Sequence, residues 1–290
     1  MAFNMPESTN PFVPKQALAP TPQLYDELIA DCMINLAKVT VSQIPPITSG
    51  SVIHDNGCGT GAGTTAIFAS ISNSPAAISV KATDINDHAL EIYRGKAIKN
   101  NRPAEAINMN SSELMFEDET FTHSLSNTLL FVLPNDGIDA VKETYRTLKP
   151  NGIALFNTWS HVPNMSPIQR AATLTRPPGA PLPRQGLEKW TQASHLTSVL
   201  EQGGFEKENI EIKQKEIWAT TTVGLERYAS MLWSFIGGTG ESGWLESDEQ
   251  NWDRALGVVV EELKKGEGFE ELDGGGLRLR FVAHVAVARK

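Results

Sequence analysis

The run Ile53-His-Asp-Asn-Gly-Cys-Gly-Thr-Gly-Ala-Gly sets Gly57, Gly59, Gly61 and Gly63 at alternate positions, after a strand-like stretch and before a helical one. Residues without a Cβ let the backbone approach a ligand, and the helix start beyond them offers unpaired N–H groups. The chemistry such a loop serves is the holding of a nucleoside-bearing cofactor. Gly57-x-Gly59-x-x-Ala62 meets the dinucleotide fingerprint. S-adenosylmethionine is held by the same kind of loop, so both cofactor classes are weighed. Asp55, just before the first glycine, would repel a pyrophosphate, whereas the cationic ammonium of a methionyl group gains from a carboxylate there. Asp84 ends the next strand, where a carboxylate accepts bonds from ribose hydroxyls in either class.

The elements that position these residues follow from periodicity. Thr21 and Pro22 suit an N-cap and a first helical residue, and the apolar spacing predicts a helix over 22–39. Strands are predicted over 51–55, 79–83, 106–109, 121–126, 153–158 and 210–217, with helices over 64–70, 88–100, 136–148, 187–202, 224–236 and 247–265. The last strand, 277–288, alternates Arg278, Arg280 and His284 with apolar residues, which predicts an antiparallel edge partner. This alternation of strand and helix reads as an α/β fold. The expected architecture is a doubly wound, Rossmann-like seven-stranded sheet, mostly parallel with an antiparallel last strand and helices on both faces. Six prolines between Ser160 and Gly186 predict an irregular excursion, long enough to serve as a lid.

Composition narrows the function classes. The 290 residues are 40% hydrophobic and 20% charged, ordinary for a globular chain and too apolar for a mostly disordered one. A net charge of −9 repels phosphate backbones, which argues against nucleic acid as a partner. Two cysteines, Cys32 and Cys58, are too few for a disulfide framework, and no apolar run approaches the roughly 20 residues of a membrane helix. A cytoplasmic protein without a membrane partner is expected. The start shows neither the basic nor the apolar region of a signal peptide, and its prolines predict a flexible leader over 1–20. The rest, 21–290, reads as one domain with a substrate-side insert at 160–186 and added helices at 224–265.

Asp55-x-Gly57-Cys-Gly59-Thr-Gly61, Asp84-Ile-Asn, Leu114-x-Phe-x-Asp-x-x-Phe121 and Leu148-Lys-Pro-Asn-Gly152 stand in order at suitable spacing. Together they resemble the successive motifs of class I S-adenosylmethionine-dependent methyltransferases, and of the ubiquinone-biosynthesis-like small-molecule group of fungal secondary metabolism in particular. The likeness covers roughly residues 50–160. It implies that Gly57, Gly59 and Gly61 line the methionyl and ribose portions of S-adenosylmethionine, that Asp84 takes the ribose hydroxyls, and that the segment after Met109 meets the adenine. Where the family often has an acid at the adenine amino group, this chain has Asn110, whose carbonyl can accept the same bond or cap the following turn. Ser111 would add a backbone N–H. The expected contact set also takes in Asn56 and Cys58 in the loop, Ile85 beside Asp84, and Asn127 at the end of the fourth strand.

Methyl transfer from a sulfonium is an in-line displacement, so alignment and desolvation of the acceptor are the protein's main tasks. Ser126-Asn127-Thr128-Leu129-Leu130 lacks the Asn/Asp-Pro-Pro-aromatic motif of enzymes acting on adenine or glutamine, and it offers no carboxylate cluster for a divalent metal. A metal-free reaction at an O, N, S or C centre of a small, partly apolar metabolite is expected. Acceptor-side candidates are Tyr25, Trp159, Trp190, Arg227, Tyr228 and Trp233, with His161, directly beyond the fifth strand, as candidate general base. Two alternatives are a cyclisation or rearrangement that retains the cofactor and a non-catalytic regulatory binder.

Overall fold

The computed structural model describes residues 10–71, 77–239 and 243–290. Thr21 caps the first helix, its hydroxyl accepting from the Leu24 N–H at 3.1 Å. The predicted 22–39 helix is two, α1 (Pro22–Ile29) and α2 (Cys32–Val41), broken where Ala30 takes φ 46°. The break frees Asp31 to accept the backbone N–H of Thr220 at 2.7 Å, a distant bond that overrides local helix propensity. β1 (Val52–Asn56) leads through the glycine turn into α3 (Ala62–Ser70), then β2 (Ser79–Asp84), α4 (Asp87–Lys99), β3 (Ala104–Asn108), β4 (Phe121–Asn127) and α5 (Ile138–Thr147). β5 (Leu148–His161) is longer than expected. The proline-rich insert contains α6 (Met165–Thr175), and the predicted 187–202 helix is a short 3-10 turn, Glu188–Thr191, followed by α7 (Ala193–Gln202). β6 (Ile210–Thr221), α8 (Leu225–Ile236), α9 (Glu246–Gln250), α10 (Trp252–Lys265), β7 (Phe269–Glu271) and β8 (Leu277–Arg289) complete the order.

The sheet runs β3-β2-β1-β4-β5-β8-β6, with β7 paired to β8 as an eighth strand that the sequence reading missed. β1 pairs in parallel with β2 and β4, β2 with β3, and β4 with β5, while β8 runs antiparallel to β5, β6 and β7. The last strand is therefore antiparallel as expected but lies inside the sheet, with β6 as the edge. Val285, Ala286 and Ala288 are buried, which suits a strand covered on both faces. Strand order reverses between β1 and β4, the switch point outside which α/β sheets bind ligands. The loops after β1, β2, β4 and β5 all leave this carboxyl end.

One apolar cluster joins Val141, Leu196 and Leu200 of α5 and α7 to Phe121 and Phe156 on one face, and another joins Ala37 and Ile67 of α2 and α3 to Ile53 and Leu125. A third gathers α1, α6, α8 and α10 over the long ends of β6 and β8. The predicted leader divides. Residues 1–9 lie outside the described residues, but Phe12, Ala17 and Leu18 pack on this third cluster. Asn10 donates to the Trp244 carbonyl at 2.7 Å, and the Leu18 N–H donates to the Ser234 hydroxyl at 3.1 Å. From Asn10 the chain is thus held to the body, because its few apolar residues find a helical face that composition alone does not reveal.

Candidate functional site

The glycine turn is braced from below. Asp55, 1% exposed, accepts both the N–H and the hydroxyl of Thr64 at 2.7 Å, and the Thr64 hydroxyl meets the Tyr93 phenol at 2.7 Å. A Cβ on Gly63 would come within 2.5 Å of the Asp55 carboxylate, and one on Gly57, at φ 65°, within 2.5 Å of Leu129 Cδ1. One oxygen of Asp55 therefore faces the start of α3 and braces the loop. Burial pushes its carboxyl up to about 6, against the Thr64 bonds that lower it, and nearby Asp84 adds to the rise.

The native state therefore favours the neutral acid. Its contribution to stability is complete below about pH 3.8, the ordinary value, and is lost as pH rises through about 6. Over that window the stability of wild type relative to Asp55→Asn should fall by about 3 kcal/mol, as measured by urea unfolding at a series of pH values. A difference that stays flat with pH would contradict this.

Asp84 stands at the carboxyl end of β2, one oxygen accepting the Gly59 N–H at 2.8 Å and the other the Asn86 N–H at 2.9 Å. Each oxygen keeps lone-pair capacity for a further donor. Ile85 beside it is an exposed apolar side chain. Asn110 is exposed, and its side-chain carbonyl caps the next turn by accepting the Ser112 N–H at 3.0 Å, the second of its two expected roles. Ser111 is buried. Asn56 is wholly buried, its side-chain carbonyl accepting the Thr83 hydroxyl at 3.4 Å. Cys58 is likewise buried, its N–H on the Thr83 carbonyl at 2.9 Å and its thiol pushed up by burial. Asn127 accepts from Asn157 at 2.8 Å, and Asn157 also accepts the Thr128 N–H at 2.8 Å. This network holds Thr128 at φ 56°, a rare conformation for a β-branched residue.

A cavity of about 410 Å³ lies over this end of the sheet. Tyr25, Trp159, His161, Trp190 and Tyr228 all line it, so the sequence reading brought five of its candidates to one place. Burial raises the phenols of Tyr25 and Tyr228. Asp26, next to Tyr25 on α1, accepts the hydroxyl of Thr60 in the glycine turn at 2.9 Å, which brings α1 to the turn. Two candidates fall elsewhere. Arg227 is exposed and pairs with Glu27 at 3.1 Å, and Trp233 is fully buried, 5.6 Å from the Trp244 ring. Helical phase explains the split, since Tyr228, Leu232, Phe235 and Ile236 share the face of α8 that lines the cavity. That spacing could have been read from the sequence. Thr128, Met33, Arg184 and Phe281 also line the cavity and were missed, because they come from four separate segments.

Among the described residues no cluster of three or more His, Cys, Asp or Glu could hold a metal ion, and no helix is long and apolar enough to cross a membrane. Residues 53–152 match the family described as Methyltransferase domain. That third of the chain is thus similar to a methyltransferase domain, and it carries the glycine turn, Asp84 and the start of β5. No curated protein sequence matches it. Solved structures agree in fold. A Bacillus halodurans protein assigned to the methyltransferases is 19% identical, with 87% of this chain and 98% of that one covered at a TM-score of 0.55. Phosphoethanolamine N-methyltransferase 2 of Haemonchus contortus, solved with phosphomonomethylethanolamine and S-adenosylhomocysteine, is 15% identical over 93% of this chain and 57% of its own, with a TM-score of 0.53. The 4+2 cyclase SpnF is 16% identical over 89% and 80%, with a TM-score of 0.51.

Proposed function

We infer that this enzyme transfers a methyl group from S-adenosylmethionine to an O, N, S or C centre of a small, partly apolar metabolite, without a metal. The observation that carries the reading is the aromatic cavity of about 410 Å³, which reaches Thr128 after β4 and Tyr25 of α1, the helix bonded to the glycine turn through Asp26 and Thr60. Its size falls within the range of small-molecule sites, and its walls are mostly apolar. The glycine turn suits the cofactor: Gly57 has no room for a side chain, and Asp84 sits at its edge with acceptor capacity to spare.

The cofactor supplies the electrophilic methyl and leaves as a neutral thioether. Gly57, Gly59 and Gly61 would hold its methionyl and ribose parts, Asp84 its ribose hydroxyls, and Ile85, Asn110 and Ser111 its adenine. Asp55 and Asn127 act through the loops they brace. Trp159, Trp190, Tyr25 and Tyr228 enclose the acceptor, exclude water and align it, which supplies most of the rate. His161, exposed and lining the cavity beyond the register shift at Trp159, would take the acceptor's proton. The buried, unpaired thiols of Cys32 and Cys58 suit a reducing, cytoplasmic setting.

The test supplies cofactor labelled in its methyl group together with metabolite extracts. Label should appear in a small organic molecule, and its absence from every small-molecule fraction would oppose the reading. With the acceptor known, His161→Ala should lower single-turnover transfer about 10²-fold and leave S-adenosylhomocysteine affinity unchanged. Transfer within a few-fold of wild type would remove His161 from proton transfer.

A further inference from the structure

β4 and β5 end their pairing at Asn127 and Asn157. Just beyond this pair, two successive residues face two different parts of the site. Thr128 lines the cavity, and the side chain of Leu129 fills the space beside Gly57, where a Cβ would come within 2.5 Å of Leu129 Cδ1. The cavity wall and the glycine turn are thus joined through neighbouring residues. Thr128 stands at φ 56°, an outlier for a β-branched side chain, so this segment would relax if nothing held it.

Asn157 is what holds it. Its Oδ1 accepts the Thr128 N–H at 2.8 Å, while its Nδ2 donates to Asn127 Oδ1 at 2.8 Å and to the Thr40 hydroxyl of α2 at 2.9 Å. A backbone N–H can meet only the carbonyl end of an amide, so these bonds also fix which way the side chain points. Asn127 and Thr128 reach α2 a second time at Met33, whose carbonyl accepts from Asn127 at 3.4 Å and whose sulfur lies 3.5 Å from the Thr128 hydroxyl. Asn157, Asn127, Thr128 and Thr40 are all buried, so a lost bond leaves a polar group that bulk water does not reach. Aspartate at 157 would keep the acceptor and lose both donors, and leucine would lose all three bonds.

We propose that Asn157 is a positioning residue for methyl transfer, holding Thr128 and Leu129 so that the acceptor's wall keeps a fixed place relative to the cofactor turn. This rests on the reading of the cavity as the methyl acceptor's site. In-line displacement tolerates little misalignment, so loosening this joint slows the reaction of bound substrates while leaving their binding largely intact. The strained backbone of Thr128 is then the cost of that alignment, and Asn157 is the residue that sustains it.

The experiment measures single-turnover transfer to the acceptor found by methyl labelling, at saturating acceptor, with each protein normalised to its S-adenosylhomocysteine sites by calorimetry. Asn157→Ala should lower the rate per site at least about tenfold, with KM for the acceptor and S-adenosylhomocysteine affinity within about threefold of wild type. Adding Thr128→Gly to Asn157→Ala should raise the rate per site about fivefold or more, because glycine takes φ 56° without strain and needs no anchor. A residue that only stabilises the fold would change the number of sites and the melting temperature, and that rescue would not occur. Thr40→Val is isosteric and removes one of the Asn157 bonds, so it serves where Asn157→Ala does not fold, with a several-fold loss expected. Without any acceptor, NMR hydrogen exchange at the Thr128 N–H should be at least about tenfold faster in Asn157→Ala, or in Thr40→Val if that variant is used, than in wild type. A wild-type rate per site in these variants would overturn the proposal. So would a loss confined to KM or to cofactor affinity, a double variant no faster than Asn157→Ala, or unchanged exchange at Thr128. Failure of the methyltransferase reading is a separate outcome, in which wild type itself transfers no methyl group and the proposal falls with it.

Discussion

Asp84→Ala is expected to weaken S-adenosylhomocysteine binding about a hundredfold, roughly 3 kcal/mol. Two losses combine. In the proposed site the carboxylate takes both ribose hydroxyls, and in the protein itself it accepts the Gly59 N–H at 2.8 Å and the Asn86 N–H at 2.9 Å. Without it the second glycine of the turn loses its anchor, so the loop must be reordered when the ligand arrives. Asp84→Asn keeps one acceptor oxygen and should lose less. Calorimetry on the three proteins checks the role, and an unchanged affinity in Asp84→Ala would remove Asp84 from the cofactor site.

Asp248→Ala should cost about 3–5 kcal/mol of stability, because it strands a buried guanidinium. Arg176 and Asp248 are almost wholly buried and paired through two bonds of 2.9 Å, Nε to Oδ1 and Nη2 to Oδ2. Arg176 also donates to the carbonyls of Gly237 at 2.7 Å and Pro181 at 3.2 Å, and Asp248 accepts the Leu245 N–H at 2.8 Å. The guanidinium lies 6.0 Å from the centroid of the Trp233 ring. The pair thus ties the end of α6, the end of α8 and the start of α9 to the insert that carries Arg184. Denaturant unfolding should show the loss in Asp248→Ala, and a replacement of both partners by Met and Leu should recover much of it. A loss under about 1 kcal/mol would mean that the network is dispensable.

What was legible in the sequence was what local chemistry dictates. The turn from Asp55 to Gly61 and the acid ending β2 could be placed because glycines, a strand and a helix start stand side by side in the chain. Tyr25, Trp159 and Trp190 followed from the rule that α/β sheets bind ligands at their carboxyl ends. Long-range contacts overrode the local signals elsewhere. The Asp31 to Thr220 bond splits a helix whose apolar spacing looked continuous. The packing of β6 outside β8 moves the last strand from the edge to the interior. Arg184 was hidden among prolines, and only the folded insert brings it to the cavity lining. Asp55 also braces Thr64 of the next helix through one carboxylate oxygen, a contact that nothing local in the chain announces.

The central claim is that the cofactor is consumed as a methyl donor, on a fold that the cyclase SpnF shares. A single-turnover reaction with the identified acceptor, analysed by mass spectrometry, tests it most directly. One S-adenosylhomocysteine should form for each acceptor converted, with the product heavier by one methylene unit. An acceptor converted without change of mass, with S-adenosylmethionine recovered intact, would contradict it.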